Sequence, residues 1–228
     1  MNQYLPSYAF EQKKDTICHS ADLKPLGGIA KRGMDIVVAG LALLLLFPVV
    51  AIVAIVVRLA LGAPVLYGHR RVGLHGREFV CFKFRTMATD GDQILQKHLD
   101  ENPAAAQEWL ERRKLKNDPR VGPVGRFLRR TSLDELPQLF NVLRGDMSCV
   151  GPRPVVPEEL IQYRCHVRHY LSGRPGITGI WQVSGRSSTS YKTRVTLDTL
   201  YVRRWSLARD VGILLMTVPA VFRTRDAG

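Results

Sequence analysis

The sequence is short of cysteine and of acidic residues, and each shortage removes a class of protein. Four cysteines (Cys18, Cys81, Cys149 and Cys165) are scattered through 228 residues without a CxxC pair. That spacing argues against a disulfide framework and a zinc site and fits a reducing, cytosol-facing environment. Acidic residues number 20 against 33 lysines and arginines, a formal net charge of +13. Such an excess implies an anionic partner: nucleic acid, acidic lipid or phosphorylated substrate. The glycines match neither a GxGxxG nor a P-loop spacing, so no nucleotide fold is read from them. An RNA-binding signature and a basic-aromatic stripe are also missing, which weighs against nucleic acid. There is no internal repeat or low-complexity tract, and the length suits one domain with appendages.

One stretch lacks charge altogether. Ile36–Val57 is 22 uncharged residues, IVVAGLALLLLFPVVAIVAIVV, roughly 33 Å as a straight helix and enough for a bilayer core. Pro48 sits near its middle, and both flanks are basic, with Lys31 and Arg32 before and Arg58, Arg70, Arg71 and Arg77 after. Proline would kink the helix, and the positive-inside tendency would keep both ends on the cytoplasmic side. A re-entrant helix–break–helix with its break at Pro48 satisfies both observations, and a spanning helix that tolerates proline stays open. Residues 1–30 before it read as a polar, mobile lead-in rather than a simple signal peptide.

Beyond the apolar run, Glu78–Arg85 alternates as a strand that would put Lys83 and Arg85 on one face. Either these are two solvated cations or they work together. Thr89-Asp90-Gly91-Asp92 invites comparison with a DxD metal motif, although a capping sequence for the following helix is the simpler account. Pro103 starts a second helical piece with Trp109 and Leu110 on its buried face, and Arg126, Arg129 and Arg130 follow. Further on, Glu158–Tyr170 reads as a helix, Arg174–Gly179 as a rigid loop and Ile180–Val183 as a short strand. Gly185-Arg186 is a turn, and Asp198–Trp205 is a helix with Tyr201 one turn from Asp198. Val211–Val221 is too short to span a bilayer and leaves core packing or interfacial burial open.

The stretch that organises the chain is Thr131–Pro154, TSLDELPQLFNVLRGDMSCVGPRP. Leu136, Leu139, Phe140 and Leu143 recur at helical spacing, with Gln138, Asn141 and Arg144 opposite and Gly145 as the stop. Pro137 is tolerated only in a first turn, so the helix is expected to start near Asp134 or Glu135. Two carboxylates would then lie at a helix N-terminus, where the macrodipole favours the ionised form. Gly151-Pro152-Arg153-Pro154 is a stiff turn presenting one guanidinium, a natural phosphate fork. Taken alone, Asp-Glu fits an N-cap as well as an active site.

Together these segments resemble the bacterial sugar transferase family of monotopic phosphoglycosyl transferases. The resemblance rests on Lys31-Arg32-Gly33-Met34-Asp35, Lys83-Phe84-Arg85-Thr86-Met87, Ser132–Pro154, Arg174–Gly179, Gln182, Gly185-Arg186 and Asp198 with Tyr201. It covers about residues 30 to 222 and is similar to the short members that initiate exopolysaccharide synthesis. His69 stands where members often carry glutamine, and no catalytic meaning attaches to it. The resemblance implies that Asp134 attacks the β-phosphorus of a UDP-sugar, galactose or glucose, releasing UMP and leaving a sugar-phosphoryl aspartate. Polyprenyl (undecaprenyl) phosphate then takes the sugar phosphate. It implies that Glu135 holds Mg²⁺, that Lys83, Arg85 and Arg153 cradle phosphate, that Arg174 and Arg186 touch nucleotide or product phosphate, and that Asp198 completes the site.

The expected fold class is α/β: a mainly helical monotopic membrane protein with a re-entrant N-terminal hairpin (31–60) and a small cytosolic catalytic domain (61–228). Interface-associated helices would hold that domain on the cytosolic face of the bacterial inner membrane. Expected partners are membrane lipids, a second copy of the chain and the pathway's glycosyltransferases, with no nucleic acid. The alternatives are a metal-dependent glycosyltransferase using Asp90 and Asp92, which would release UDP, and a non-catalytic scaffold of polysaccharide export.

Overall fold

The uncharged run forms the middle of a 34-residue helix, α1 (Gly28–Leu61), in the computed structural model, which describes residues 24–112, 115–184 and 190–222. Cys18, Arg186 and all but the last few residues of the 1–30 segment therefore lie outside the described residues. The helix starts at Gly28, inside the segment expected to be a mobile lead-in. Helical residues continue unbroken through Pro48, so α1 is one helix, and the expected hairpin is not seen in it. An interior proline removes a hydrogen bond and crowds the preceding turn, which bends a helix without obliging it to stop. α1 is long and apolar enough to cross a membrane. Leu41, Leu44, Leu45, Phe47, Ile52, Ile55 and Leu59 are each at least 55 % exposed. That contiguous apolar surface is what a lipid environment would cover.

After α1 come β1 (Leu66–Val72), β2 (Glu78–Phe84), α2 (Gly91–Glu101), α3 (Pro103–Arg112) and α4 (Pro123–Thr131). Then follow α5 (Gln138–Arg144), β3 (Ser148–Val150), α6 (Val167–Leu171), β4 (Gly176–Thr178), α7 (Ile180–Ser184), α8 (Tyr191–Arg203) and α9 (Leu207–Phe222). Short 3-10 turns occupy Leu74–Gly76, Leu133–Glu135 and Pro157–His166. The described residues carry two small sheets, β1-β2 and β3-β4. The architecture is mainly helical, as expected for a membrane-anchored α/β protein.

The chain divides into two compact units. The first contains the residues up to Leu45, Gly68–Cys81 and Gln138–Ala220. Its centre is the parallel pair β3-β4, with Ser148 opposite Gly176 and Val150 opposite Thr178. A Cβ on Gly176 would lie 2.1 Å from the Gly151 nitrogen, so only glycine admits this approach. Around it Val72, Val155, Leu160, Tyr163, Tyr170, Leu171 and Val195 form an apolar core.

Polar anchors tie the first turns of α1 into this unit. Lys31 Nζ donates to the Val150 carbonyl at 2.9 Å and to Asp210 Oδ2 at 2.7 Å. Asp35 Oδ1 accepts from Ser148 Oγ and the Cys149 N–H. Burying a lysine and two aspartates is tolerable only with such partners.

Several local expectations are corrected here. Ile180–Val183 is helical, and the strand is Gly176–Thr178, because β4 needs the glycine that approaches Gly151. Glu158–Tyr170 splits into a 3-10 stretch, kinked at Arg164 with φ 46°, and α6. The faces of α5 are only partly as expected: Leu139 is buried and Arg144 exposed, but Gln138 and Asn141 are buried, whereas Phe140 and Leu143 are exposed. Asn141 Nδ2 donates to the Val80 carbonyl at 2.8 Å and to Asp146 Oδ2 at 3.2 Å. Its own carbonyl accepts from Gly145, Asp146 and Met147. That satisfied polar hub outweighs the apolar periodicity.

The second unit contains Leu46–Tyr67, Phe82–Pro137 and the residues after Ala220. Val53 and Val57 of α1 pack with Phe84 and Leu128, and Val49, Val50, Val124, Leu133 and Leu136 line the edge. Asp90 occupies the N-cap of α2 without a side-chain capping bond. Leu110 is exposed rather than buried, and Trp109 lies under Arg120, whose Cζ is 5.2 Å from the ring centroid.

Candidate active site

The Asp134–Glu135 pair sits on a turn created by a left-handed residue. α4 ends at Ser132, whose φ of 58° redirects the chain, and Leu133–Glu135 then forms a single 3-10 turn. α5 begins only at Gln138, after Pro137, so the expected helix start near Asp134 is displaced by three or four residues. The carboxylates therefore precede the helix on their own turn, and Pro137 marks the end of that turn.

Asp134 is 8 % exposed. Burial, followed by repulsion from Glu135, pushes its pKa up to about 6, while Lys83 and Arg129 pull it down. Among the described residues no side-chain donor hydrogen-bonds this carboxylate; the nearby cations act on it through charge. The sequence-based expectation that a helix N-terminus favours the ionised form is thus modified: the group is still mainly ionised at pH 7, but only about 1 pH unit above its midpoint.

Neighbouring cations are fixed by the surrounding elements. Lys83, near the end of β2, pairs with Glu135, Nζ to Oε1, at 2.6 Å, with both side chains about one-third exposed. Arg129 of α4 donates through Nε to Thr86 Oγ1 at 2.9 Å. α4 runs directly against Thr86, since a Cβ on Gly125 would lie 2.1 Å from the Thr86 carbonyl. Arg85 has a different task from Lys83. It is buried and donates to the Ala63 carbonyl at 2.9 Å and to the Leu61 carbonyl at the end of α1. Lys83 and Arg85 therefore have different partners, because β2 ends at Phe84 and Arg85 turns back to the α1 terminus.

An apolar groove of about 470 Å³ opens in the same unit. Val49, Ile52, Val53 and Val56 of α1 line it with Pro123, Val124, Phe127 and Leu128 of α4. Leu133, the residue before Asp134, completes the wall.

In the other unit, the Gly151–Pro154 turn carries Arg153, whose Cζ lies 5.6 Å from the Trp181 ring centroid. Arg194 approaches the same ring at 4.8 Å. Asp198 is buried, and its Oδ2 accepts from Tyr163 Oη at 2.7 Å and from the Arg153 N–H at 3.4 Å. Burial pushes the Asp198 pKa up to about 7 against the pull of the Tyr163 hydrogen bond. Tyr201 does not join Asp198 although it lies one turn away; it donates to Asp210 Oδ1 at 2.7 Å and to the Val150 carbonyl at 3.0 Å. Arg174 Nε donates to the Gly145 carbonyl at 2.8 Å, closing the end of α5 alongside Arg32, which takes the Val142 and Leu143 carbonyls. Arg186 lies outside the described residues.

Sequence reasoning did not single out Arg129, Trp181, Arg194 or Tyr163. For Arg129 the signal was present in Arg126, Arg129 and Arg130, but not which of the three turns inward. Among the described residues no three His, Cys, Asp or Glu side chains converge on one point. Glu135 does suit Mg²⁺, which takes one or two carboxylates and completes its shell with water and substrate phosphate.

The site is thus a buried, charge-flanked carboxylate on the turn after left-handed Ser132, next in sequence to Leu133 in the wall of an apolar groove. The chain belongs to the bacterial sugar transferase family, whose model it matches over residues 26–224. It is 52 % identical over 205 residues to the exopolysaccharide production protein ExoY of Sinorhizobium fredii, covering 90 % of this chain and 91 % of that one. It is 54 % identical over 166 residues to the undecaprenyl-phosphate galactose phosphotransferase of Salmonella typhimurium, covering 73 % of this chain and 35 % of the relative. A third relative, the UDP-glucose:undecaprenyl-phosphate glucose-1-phosphate transferase of Escherichia coli, is 41 % identical over 206 residues, 85 % of this chain and 41 % of the relative.

Proposed function

We propose that the chain transfers a hexose 1-phosphate from a UDP-sugar, galactose or glucose, to undecaprenyl phosphate as the first membrane step of exopolysaccharide synthesis. The observation that carries this reading is Asp134: a buried carboxylate with a pKa near 6, beside the Lys83–Glu135 pair and Arg129, at the wall of an apolar groove. Family membership supplies the reaction class.

In the proposed reaction an ionised Asp134 oxygen bonds to the β-phosphorus. The bond from that phosphorus to the bridging oxygen breaks, and UMP leaves with the electron pair. The resulting acyl phosphate holds the sugar until an oxygen of undecaprenyl phosphate bonds to the same phosphorus and releases the Asp134 carboxylate. The products are UMP and a polyprenyl-diphospho-sugar. Lys83 offsets charge on the phosphoryl oxygens, and Arg129 keeps Asp134 mainly ionised despite its burial. Glu135 would hold Mg²⁺, whose chemistry is to polarise phosphoryl oxygens and neutralise their charge.

The acceptor's tail fits the apolar groove that ends at Leu133, one residue from the nucleophile. α1 would anchor the protein as a re-entrant helix bent at Pro48, with the catalytic residues on the cytosolic face of the inner membrane. The exposed side chains of Val211, Leu215, Met216 and Val218 on α9 would lie in the interface. Basic residues near anionic lipid add about 1 kcal/mol each.

The test is nucleotide release from a panel of UDP-sugars by the detergent-extracted chain with undecaprenyl phosphate, in Mg²⁺ or in chelator. UMP formed with Mg²⁺ and lost in Asp134→Asn is the expected result. UDP as the product would overturn the reading and turn attention to Asp90 and Asp92.

A further inference from the structure

Four consecutive residues at the end of β2, Lys83–Thr86, each meet a different part of the second unit. Lys83 Nζ donates to Glu135 Oε1 at 2.6 Å. Phe84 is buried with Val53 and Val57 of α1 and Leu128 of α4. Thr86 Oγ1 accepts from Arg129 Nε at 2.9 Å. This short segment therefore carries one of the two cations that act on Asp134 and hydrogen-bonds the other.

Arg85 ties the segment to the end of α1. Its backbone N–H donates to the Val65 carbonyl at 2.9 Å. Its guanidinium donates to the Ala63 carbonyl at 2.9 Å and to the Leu61 carbonyl. The arrangement is costly. Arg85 is 6 % exposed, both acceptors are carbonyls rather than carboxylates, and its Nε is buried without an acceptor. A charge buried in this way loses hydration that two carbonyls return only in part. Capping α1 does not call for burial, since a cation at a helix C-terminus is favourable on the surface as well. What burial adds is constraint: a planar fork across two carbonyls fixes both position and direction.

Electrostatics give that constraint a use. Burial raises the pKa of Asp134, and Glu135 on the same turn adds to the effect. Lys83 from β2 and Arg129 from α4 act the other way. Attraction between charges falls with separation, so the ionised fraction of Asp134 depends on where these two cations are held.

We propose that Arg85 is a positioning residue of the transfer site: by fixing Lys83–Thr86 to the end of α1, it holds Lys83 and Arg129 where their charges act on Asp134. The inference rests on the reaction read above and deepens it.

The test follows UMP release against pH for the full chain in detergent micelles, with Arg85→Gln, Arg85→Lys and Thr86→Val. Arg85→Gln is expected to lower kcat about tenfold while KM for the UDP-sugar stays within about twofold. It is also expected to move the acid limb of kcat/KM upward by roughly 0.5–1 pH unit. Arg85→Lys, which keeps a donor for one carbonyl, is expected to recover part of both effects. Thr86→Val releases Arg129 alone and is expected to move the limb less, so it carries the test if the Arg85 variants do not fold.

An acid limb unmoved in every folded variant overturns the proposal. With a lower kcat it leaves Arg85 as a structural cap, and with a tenfold higher KM it makes Arg85 a phosphate ligand. The midpoint of Asp134 is also read without substrate, from the pH dependence of the stability difference between each chain and its Asp134→Asn counterpart. A midpoint raised by Arg85→Gln without UMP release from any UDP-sugar removes the reaction and keeps the placement. UMP release with both midpoints unmoved does the opposite.

Discussion

Two buried aspartates, one in each unit, have similar upward shifts in pKa and contrasting surroundings. Asp198 is pushed up to about 7 yet is held by the Tyr163 hydroxyl at 2.7 Å and the Arg153 N–H at 3.4 Å. Asp134 is pushed up to about 6, and among the described residues no side-chain donor holds its oxygens. A carboxylate whose lone pairs are occupied by donors positions its neighbours. One that is surrounded by charge but has no side-chain donor keeps lone pairs for chemistry. The shifted pKa alone would not have separated the two; the hydrogen-bond partners do.

The largest effect that sharpens the contrast is loss of turnover in Asp134→Asn. A roughly thousandfold or greater fall in UMP release is expected, as for removal of a nucleophile, against roughly tenfold for Asp198→Asn, which retains an acceptor for Tyr163. Equal losses would erase the distinction. Next comes Lys83→Ala, expected to lower kcat by roughly 10- to 100-fold by removing charge stabilisation; a KM change alone would move Lys83 out of the reacting centre.

A third prediction concerns stability. The folded-state pKa of Asp134, about 6, lies above the ordinary aspartate value of 3.8, so the folded chain holds this proton more tightly than the unfolded one. Its ionisation costs nothing below about pH 4. The cost grows as pH rises from there towards 6 and is full above it. Asp134→Asn should therefore be more stable than the unaltered chain at pH 7, by up to roughly 3 kcal/mol, while being inactive. Thermal denaturation of the two proteins in one detergent checks this, and a less stable Asn variant would mean that the carboxylate helps to hold the fold.

Activity should follow the opposite course. The acid limb of kcat/KM should rise with a midpoint near pH 6, and a limb near the ordinary carboxylate range would show that substrate binding or Lys83 offsets the burial. The smallest effect expected is from Tyr163→Phe, which strands the buried Asp198 carboxyl and costs about 1–3 kcal/mol of stability with little change in kcat.

How much of this was legible in the sequence follows from the range of the forces involved. The long uncharged run, the Asp-Glu pair before Pro137, the glycine stop at Gly145 and the turn bearing Arg153 are local patterns, and each has a counterpart in the structure. The misreadings came from long-range partners. Asn141 looked like a solvent-facing residue, but its amide and carbonyl organise the chain after α5, so Phe140 and Leu143 face outward. Ile180–Val183 has β-branched and aromatic residues suited to a strand, yet the backbone approach of Gly151 to Gly176 fixes the strand four residues earlier. Arg85 and Arg174 were expected at phosphate from the family resemblance; in the structure they donate to the carbonyls at the ends of α1 and α5, contacts with no local signature. Arg194 and Trp181 had no local signature, since a cation–π pair across 13 residues leaves no period.

The measurement that bears most directly on Asp134 as nucleophile is the intact mass of the chain after exposure to UDP-sugar without lipid acceptor. The account predicts an added sugar phosphate on the unaltered chain, mapped by peptide analysis to Asp134, absent from Asp134→Asn and discharged by undecaprenyl phosphate. An adduct on another residue, or full UMP release by Asp134→Asn, would contradict it.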